Sequence, residues 1–163
     1  MESPEAMELI RTLGLERGSC GYMAKTYDND LLVTPHGAAT RPAGSCLYFL
    51  ITASAGIAPH RIWSDQIYHH YAGAPLDVLL LGADGAVSQH RVGVEIGDGD
   101  YPQLLIPAGT YHVGRVSDGA SWALLGTTSW PAVAASEVEM TSIAELTTRY
   151  PAAAPALAEF DTA

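Results

Sequence analysis

Six histidines, His36, His60, His69, His70, His90 and His112, are the side chains here best suited to proton transfer or metal binding near neutral pH. Side chains alternate faces along a strand. His60 and Ile62 therefore share a face. Provided that the turn at Ser64-Asp65 preserves parity, Gln66, Tyr68 and His70 lie on it too, while His69 and Tyr71 point the other way. Thr110, His112 and Gly114 share a face farther along. In a small barrel the inner faces of nonadjacent strands meet, so His60 and His112 are expected to converge. Two neutral imidazoles and an oxygen donor suit Zn, Fe, Ni or Mn, with positions left open for substrate. Without metal, an imidazole in a pocket is a general base and a tyrosine phenol a proton donor.

The remaining candidates are fewer. Tyr48 and Tyr68 are expected to line the cavity. Arg61 and Asp65 are expected to form a structural ion pair, and Lys25 and Arg115 read as solvated surface charges. His36, His69 and His90 receive no role. Cys20 and Cys46 fit no metal or redox spacing and read as small buried hydrophobes with reduced thiols. No Ser-His-Asp order, phosphate-binding glycine loop or Cys-His zinc pattern is present.

These side chains need strands to position them. Runs at Met23–Tyr27, Leu31–Thr34, Leu47–Ile51, Arg61–Trp63, Gln66–Tyr71, Leu76–Leu81, His90–Glu95, Gln103–Ile106, Tyr111–Val116 and Trp122–Thr128 read as short strands. Turn signals separate them at about 8–12-residue spacing, the pattern of an all-β sandwich or barrel. Asp84-Gly85 and Asp118-Gly119 are hairpin signals. Ser3-Pro4 predicts a helix over residues 3–13 that stops near Gly14. Ser142-Ile143-Ala144-Glu145 is a capping box that starts a second helix, limited by Pro151. The Ala-rich tail beyond is expected to fray.

Composition bounds the rest. A chain of 163 residues, 48% hydrophobic and 16% charged, is expected to form one domain over residues 1–163, with neither disorder nor a coiled coil. Its 18 acidic and 8 basic residues give a net charge of −10, which argues against nucleic acid and anionic membranes as partners. Met1-Glu2-Ser3-Pro4-Glu5 lacks the features of a signal peptide, and no apolar run reaches membrane-spanning length. A cytoplasmic protein is expected.

Two segments resemble a known family. Pro107-Ala108-Gly109-Thr110-Tyr111-His112 resembles the second cupin motif, P-x-G-x-x-H. The first cupin motif has H-x-H, then a glutamate, then a glycine seven residues later. His60 and Gly73 match it, whereas Ile62 replaces the second histidine and Gln66 the glutamate. The run from Pro59 to Leu76 is similar to the DUF985 branch, or cupin 5 family, with its H-R-x-x-S-D-E-x-W segment. Tyr101-Pro102-Gln103 and Leu125-Gly126-Thr127-Thr128 look like that branch too. The resemblance covers about residues 18–150. It implies an all-β double-stranded β-helix, the cupin jelly-roll barrel, here with a short helix near each end, and a homodimer formed through sheet edges.

The expected function is a cupin-fold enzyme acting on a small organic metabolite by non-redox acid/base chemistry: isomerisation, epimerisation, dehydration or cyclisation. Jelly-roll sugar-nucleotide epimerases are a distant precedent. His60, His112 and Tyr68 are the expected catalytic residues, and Tyr48, Gln66 and His70 the expected substrate contacts. No cofactor is expected, because a neutral amide at Gln66 offsets a dication poorly. One alternative is a metal-dependent dioxygenase or lyase using a divalent transition metal on His60, His112 and His70. The other is a metabolite-binding module without catalysis.

Overall fold

The structure is a computed structural model that describes residues 2–35, 37–117 and 119–161. Ser3 caps helix α1 (Pro4–Leu13) by accepting from the Ala6 amide, with proline at the first turn. Gly14, at φ +63°, ends the helix in the left-handed conformation that favours glycine. The strands follow as β1 (Glu16–Arg17), β2 (Tyr22–Asp28), β3 (Leu32–Val33), β4 (Arg41–Pro42), β5 (Ser45–Thr52), β6 (Ile57–Arg61), β7 (Asp65–Gly73), β8 (Leu76–Leu81), β9 (Val87–Val92), β10 (Gln103–Ile106), β11 (Tyr111–Val116), β12 (Trp122–Trp130) and β13 (Glu139–Met140). Helices α2 (Ile143–Arg149) and α3 (Ala154–Ala158) close the described chain.

Two antiparallel sheets face each other. One has the order β1-β2-β5-β12-β7-β10 and the other β13-β6-β11-β8-β9, with β3 and β4 as a separate ribbon. Phe49, Ile51, Tyr68 and Leu125 of the first sheet pack between the layers against Ile57, Leu76, Val78 and Leu80 of the second. The outer faces are covered as well. Ala6, Leu9, Ile10 and Leu13 of α1 lie on Leu50 and Leu124. Leu146 of α2 and Leu157 of α3, with Phe160 beyond, cover Leu79, Leu81, Tyr111 and Val113. Both faces of β5 and β8 are therefore apolar, which is why they read as continuous hydrophobic runs.

Several expectations change. The strand expected at Arg61–Trp63 lies earlier, at Ile57–Arg61, and the one at His90–Glu95 pairs as Val87–Val92. Asp84-Gly85 does turn a hairpin between β8 and β9. Asp118 lies outside the described residues; β11 and β12 belong to different sheets and do not pair with each other. Over its described residues the tail does not fray: Leu157 is fully buried and Phe160 nearly so, because the outer face of β8 and β11 needs an apolar cover. Replacing Leu157 with alanine is expected to lower unfolding free energy by about 2–4 kcal/mol in a denaturant titration. A change under about 0.5 kcal/mol would show that the tail contributes nothing.

Candidate active site

His60 on β6 and His112 on β11 are in register on adjacent, hydrogen-bonded strands. They are cross-strand neighbours on the inner face; the expected meeting across nonadjacent strands is corrected. Their ring centroids lie 4.1 Å apart at 58°. Each ring is oriented by a carbonyl two residues earlier in the chain. The His60 Nδ1–H donates to Ala58 O at 2.7 Å, and the His112 Nδ1–H to Thr110 O at 3.4 Å. A carbonyl only accepts, so Nδ1 carries the proton in both and the Nε2 lone pairs are left to the interior. The Nε2 of His60 meets the Cys20 sulfur at 3.9 Å, while that of His112 has no partner.

A chamber of about 110 Å³ opens beside His60 at one end of the barrel. An engineered cavity of about 150 Å³ holds benzene, so this one takes a fragment of about four or five non-hydrogen atoms. His60, Gln66, Tyr68, Thr127, Ser45 and Ser129 supply its polar wall, with Cys20 beside them. Met23, Leu47, Phe49 and Ile62 supply apolar wall. The sheet register brings Ser45, Ser129 and Gln66 side by side across β5, β12 and β7. Ser45 and Ser129 share a hydrogen bond of 3.0 Å. Thr127 donates to the Gln66 carbonyl oxygen at 3.4 Å, which turns the amide nitrogen away, and that nitrogen is buried without a partner.

The two motifs are locked together at this end. The Asp65 carboxylate accepts from the Ala108 amide at 2.8 Å, and Ile62 O accepts from the Gly109 amide at 2.7 Å. Gly109 has φ +78°, and the Trp63 ring lies against it. Asp65 is thereby taken, and Arg61 instead pairs with Glu139 through two bonds of 2.9 and 2.8 Å. The expected Arg61–Asp65 pair is corrected on that ground.

The parity expected for β7 is the one observed: Gln66, Tyr68 and His70 are buried, His69 is half-buried and Tyr71 exposed. Three expected site residues nevertheless stand elsewhere. Tyr48 lies on the outer face of β5, in the cluster under α1, edge-on to Tyr71 at 5.9 Å. His70 faces inward but sits four residues along β7 from Gln66, about 13 Å, where its Nε2–H donates to Ala74 O at 2.9 Å. It contributes nothing to the chamber wall. His112 is fully buried behind His60, so it acts on the chamber only through that ring. Cys20, Ser45, Thr127 and Ser129 were not expected at the site. Inner-face alternation along β12 points to Thr127 and Ser129; for Cys20, outside any predicted strand, the sequence carries no such signal.

The surroundings set the proton affinities apart. Burial disfavours charge on His60, but the neighbouring Cys20 thiol and the Ala58 carbonyl outweigh it and raise its pKa above the ordinary value. Burial holds His112 well below its ordinary value, the charge on His60 adds to this, and the Thr110 carbonyl opposes it only in part. Burial, with the charge on Cys20, pushes the Tyr68 phenol well up, so it stays protonated as a donor. Cupins use histidines and a carboxylate to hold metal, but this donor set does not fit one. Among the described residues no three His, Cys, Asp or Glu side chains group as ligands, and Ile62 and Gln66 stand where donors would be needed.

The sequence matches the family model described as Cupin superfamily (DUF985) over residues 7–141. The chain belongs to this family. Among proteins of curated function, none matches it. A hypothetical protein from Leishmania major superposes with a TM-score of 0.87 at 23% identity, over 95% of this chain and 97% of that one. A protein from Shewanella oneidensis gives 0.84 at 22%, over 98% of each chain. A cupin 2 domain-containing protein from Halorhodospira halophila gives 0.56 at 16%, over 90% of this chain and 86% of that one. The shared fold is the cupin barrel with short terminal helices, as expected. Among the described residues, no helix is long and apolar enough to cross a membrane.

His112 gives a pH signature. Below about pH 6.5 the unfolded chain's imidazole takes up a proton that the buried native ring refuses, so acid favours unfolding. His60, with its raised pKa, works in the opposite sense, its stabilisation being lost as pH rises through the folded value. Between pH 7 and 5 the His112 contribution is expected to lower stability by up to about 1.4 kcal/mol per pH unit. Denaturant titrations at pH 5, 6 and 7 are expected to show a flatter profile for His112→Gln than for the parent chain. Parallel profiles would remove His112 as the origin.

Proposed function

We propose that this cupin is a cytoplasmic enzyme performing non-redox acid/base chemistry on a small organic molecule. The observation that carries this reading is the orientation of His60. Its Nδ1 is fixed on Ala58 O, so its Nε2 is left to a chamber whose polar wall includes two donors, the Tyr68 phenol and the Gln66 amide. A base beside donors for a substrate oxygen is what proton abstraction next to a carbonyl requires. His60 takes and returns the proton, and Tyr68 and Gln66 hold the oxygen on which charge develops. His112, kept neutral behind it, supports the ring without competing for the proton. The chamber admits only the reacting end of a molecule as large as a sugar nucleotide; a small carbonyl compound fits whole.

The test is solvent deuterium incorporation. A set of small keto, hydroxy and unsaturated acids and amides is incubated with the protein in D₂O and read by proton NMR. Exchange at one carbon of at least one compound is expected, falling by about 10²-fold or more in His60→Gln. Binding without exchange would favour the metabolite-binding reading. Exchange that survives His60→Gln but is lost with chelator would favour the metal-dependent one.

We also infer a homodimer. β10 is a sheet edge with Leu105 exposed on it and Tyr101 exposed just before it, surface that a second copy would cover. Light scattering is expected to give twice the 17.2 kDa chain mass at micromolar concentration, and a monomer mass would overturn the inference.

A further inference from the structure

Cys20 reaches the chamber from outside the main strands. It makes a single antiparallel bridge with Ile57 of β6, then the chain turns at Gly21, φ +64°, where a Cβ would collide with the Leu50 carbonyl oxygen. That turn places the sulfur in the chamber wall, 3.9 Å from His60 Nε2. Nucleophile, base and orienting group thus stand in sequence: Cys20 Sγ, His60 and Ala58 O. Cys46 provides the contrast. It lies on β5, has Thr128 Oγ1 at 3.6 Å, and has no histidine on its sulfur.

Gln66 supplies an independent observation. It is 95% buried, its Oε1 is held by Thr127, its Nε2 is buried without a partner, and its side chain forms part of the chamber wall. A buried amide N–H without an acceptor is costly, and a ligand oxygen relieves that cost. The wall therefore offers a nucleophilic sulfur, a base and a donor for an oxygen.

We propose that Cys20 is a nucleophile activated by His60, and that the chamber takes a small α,β-unsaturated carbonyl compound whose oxygen accepts from Gln66. His60 Nε2 takes the thiol proton. The sulfur pair forms the C–S bond to the β-carbon, the C=C π pair becomes the bond between the α-carbon and the carbonyl carbon, and the C=O π pair moves onto the oxygen, held by the Gln66 amide. His60 then returns the proton to the α-carbon as the carbonyl re-forms. The net change is addition of S–H across C=C, reversible by the same steps, without oxidant or co-reactant. This deepens the acid/base reading, because His60 is the base in both.

Acrylamide, which has five non-hydrogen atoms, is the probe, added to the full chain at neutral pH and followed by mass spectrometry with peptide mapping. Cys20 is expected to be modified at least about tenfold faster than Cys46 in the same molecule. His60→Gln is expected to slow Cys20 by about tenfold and leave Cys46 unchanged, and Gln66→Leu to slow Cys20 as well. Equal rates at the two cysteines in the parent chain would overturn the proposal, and that comparison needs no variant to fold. A Cys20 rate unaffected by His60→Gln would overturn it too. Slow Cys20 with deuterium incorporation that depends on His60 sinks the nucleophile and keeps the acid/base reading. Fast Cys20 with no incorporation into any compound sinks that reading and keeps the nucleophile.

Discussion

Two imidazoles buried side by side between the sheets are the constraint around which this barrel end is organised. At 4.1 Å in a medium of low dielectric, both rings cannot carry charge together. The structure resolves the conflict by giving them different neighbours. His60 has a thiol at its Nε2 and a short bond at Nδ1; His112 has a longer bond and no second partner. One ring is therefore the place for a proton and the other stays neutral. Both owe their tautomer to a backbone carbonyl two residues earlier, so the assignment is built into the main chain and does not depend on a mobile side chain.

The surrounding elements hold that pair in place. Register between β6 and β11 sets the ring separation. The Asp65–Ala108 and Ile62–Gly109 bonds join the loops that lead into β7 and β11, so neither strand can slide alone. On the outer side, Arg61 lies 4.5 Å from both the Trp63 and Tyr111 rings and is clamped by Glu139, which also accepts from the Tyr111 hydroxyl at 2.6 Å. Glu139 is held below its ordinary pKa first by the hydrogen bond from Tyr111 and then by Arg61. This polar latch ties β6, β11 and β13 across the back of the histidines.

How much of this was legible in the sequence depends on the kind of information. The helix starts at Ser3 and Ser142 were readable because capping is local. The shared face of Gln66, Tyr68 and His70 was readable because β7 alternates without interruption over that span. Tyr48 was not, because both faces of β5 are buried and alternation carries no signal there. His70 failed for another reason: parity gives the face but not the depth along the barrel. The partner of Arg61 is 78 residues away, and the place of Cys20 follows from a single bridge, so both needed the tertiary fold. The absent carboxylate at Gln66 was legible at once, yet its consequence, a buried donor without a partner, required the hydrogen bond from Thr127.

Phe49, Tyr68 and Leu125 fill the barrel beneath the chamber. Lys25 and Val138 stand on its wall where it meets solvent, Lys25 exposed and paired with Asp28. Molecules therefore reach the chamber past Lys25 and Val138. A chamber with room for one small molecule imposes traffic order: a product must depart before the next molecule arrives. Water obeys the same rule, so an occupant that fills the doorway also dries the room behind it.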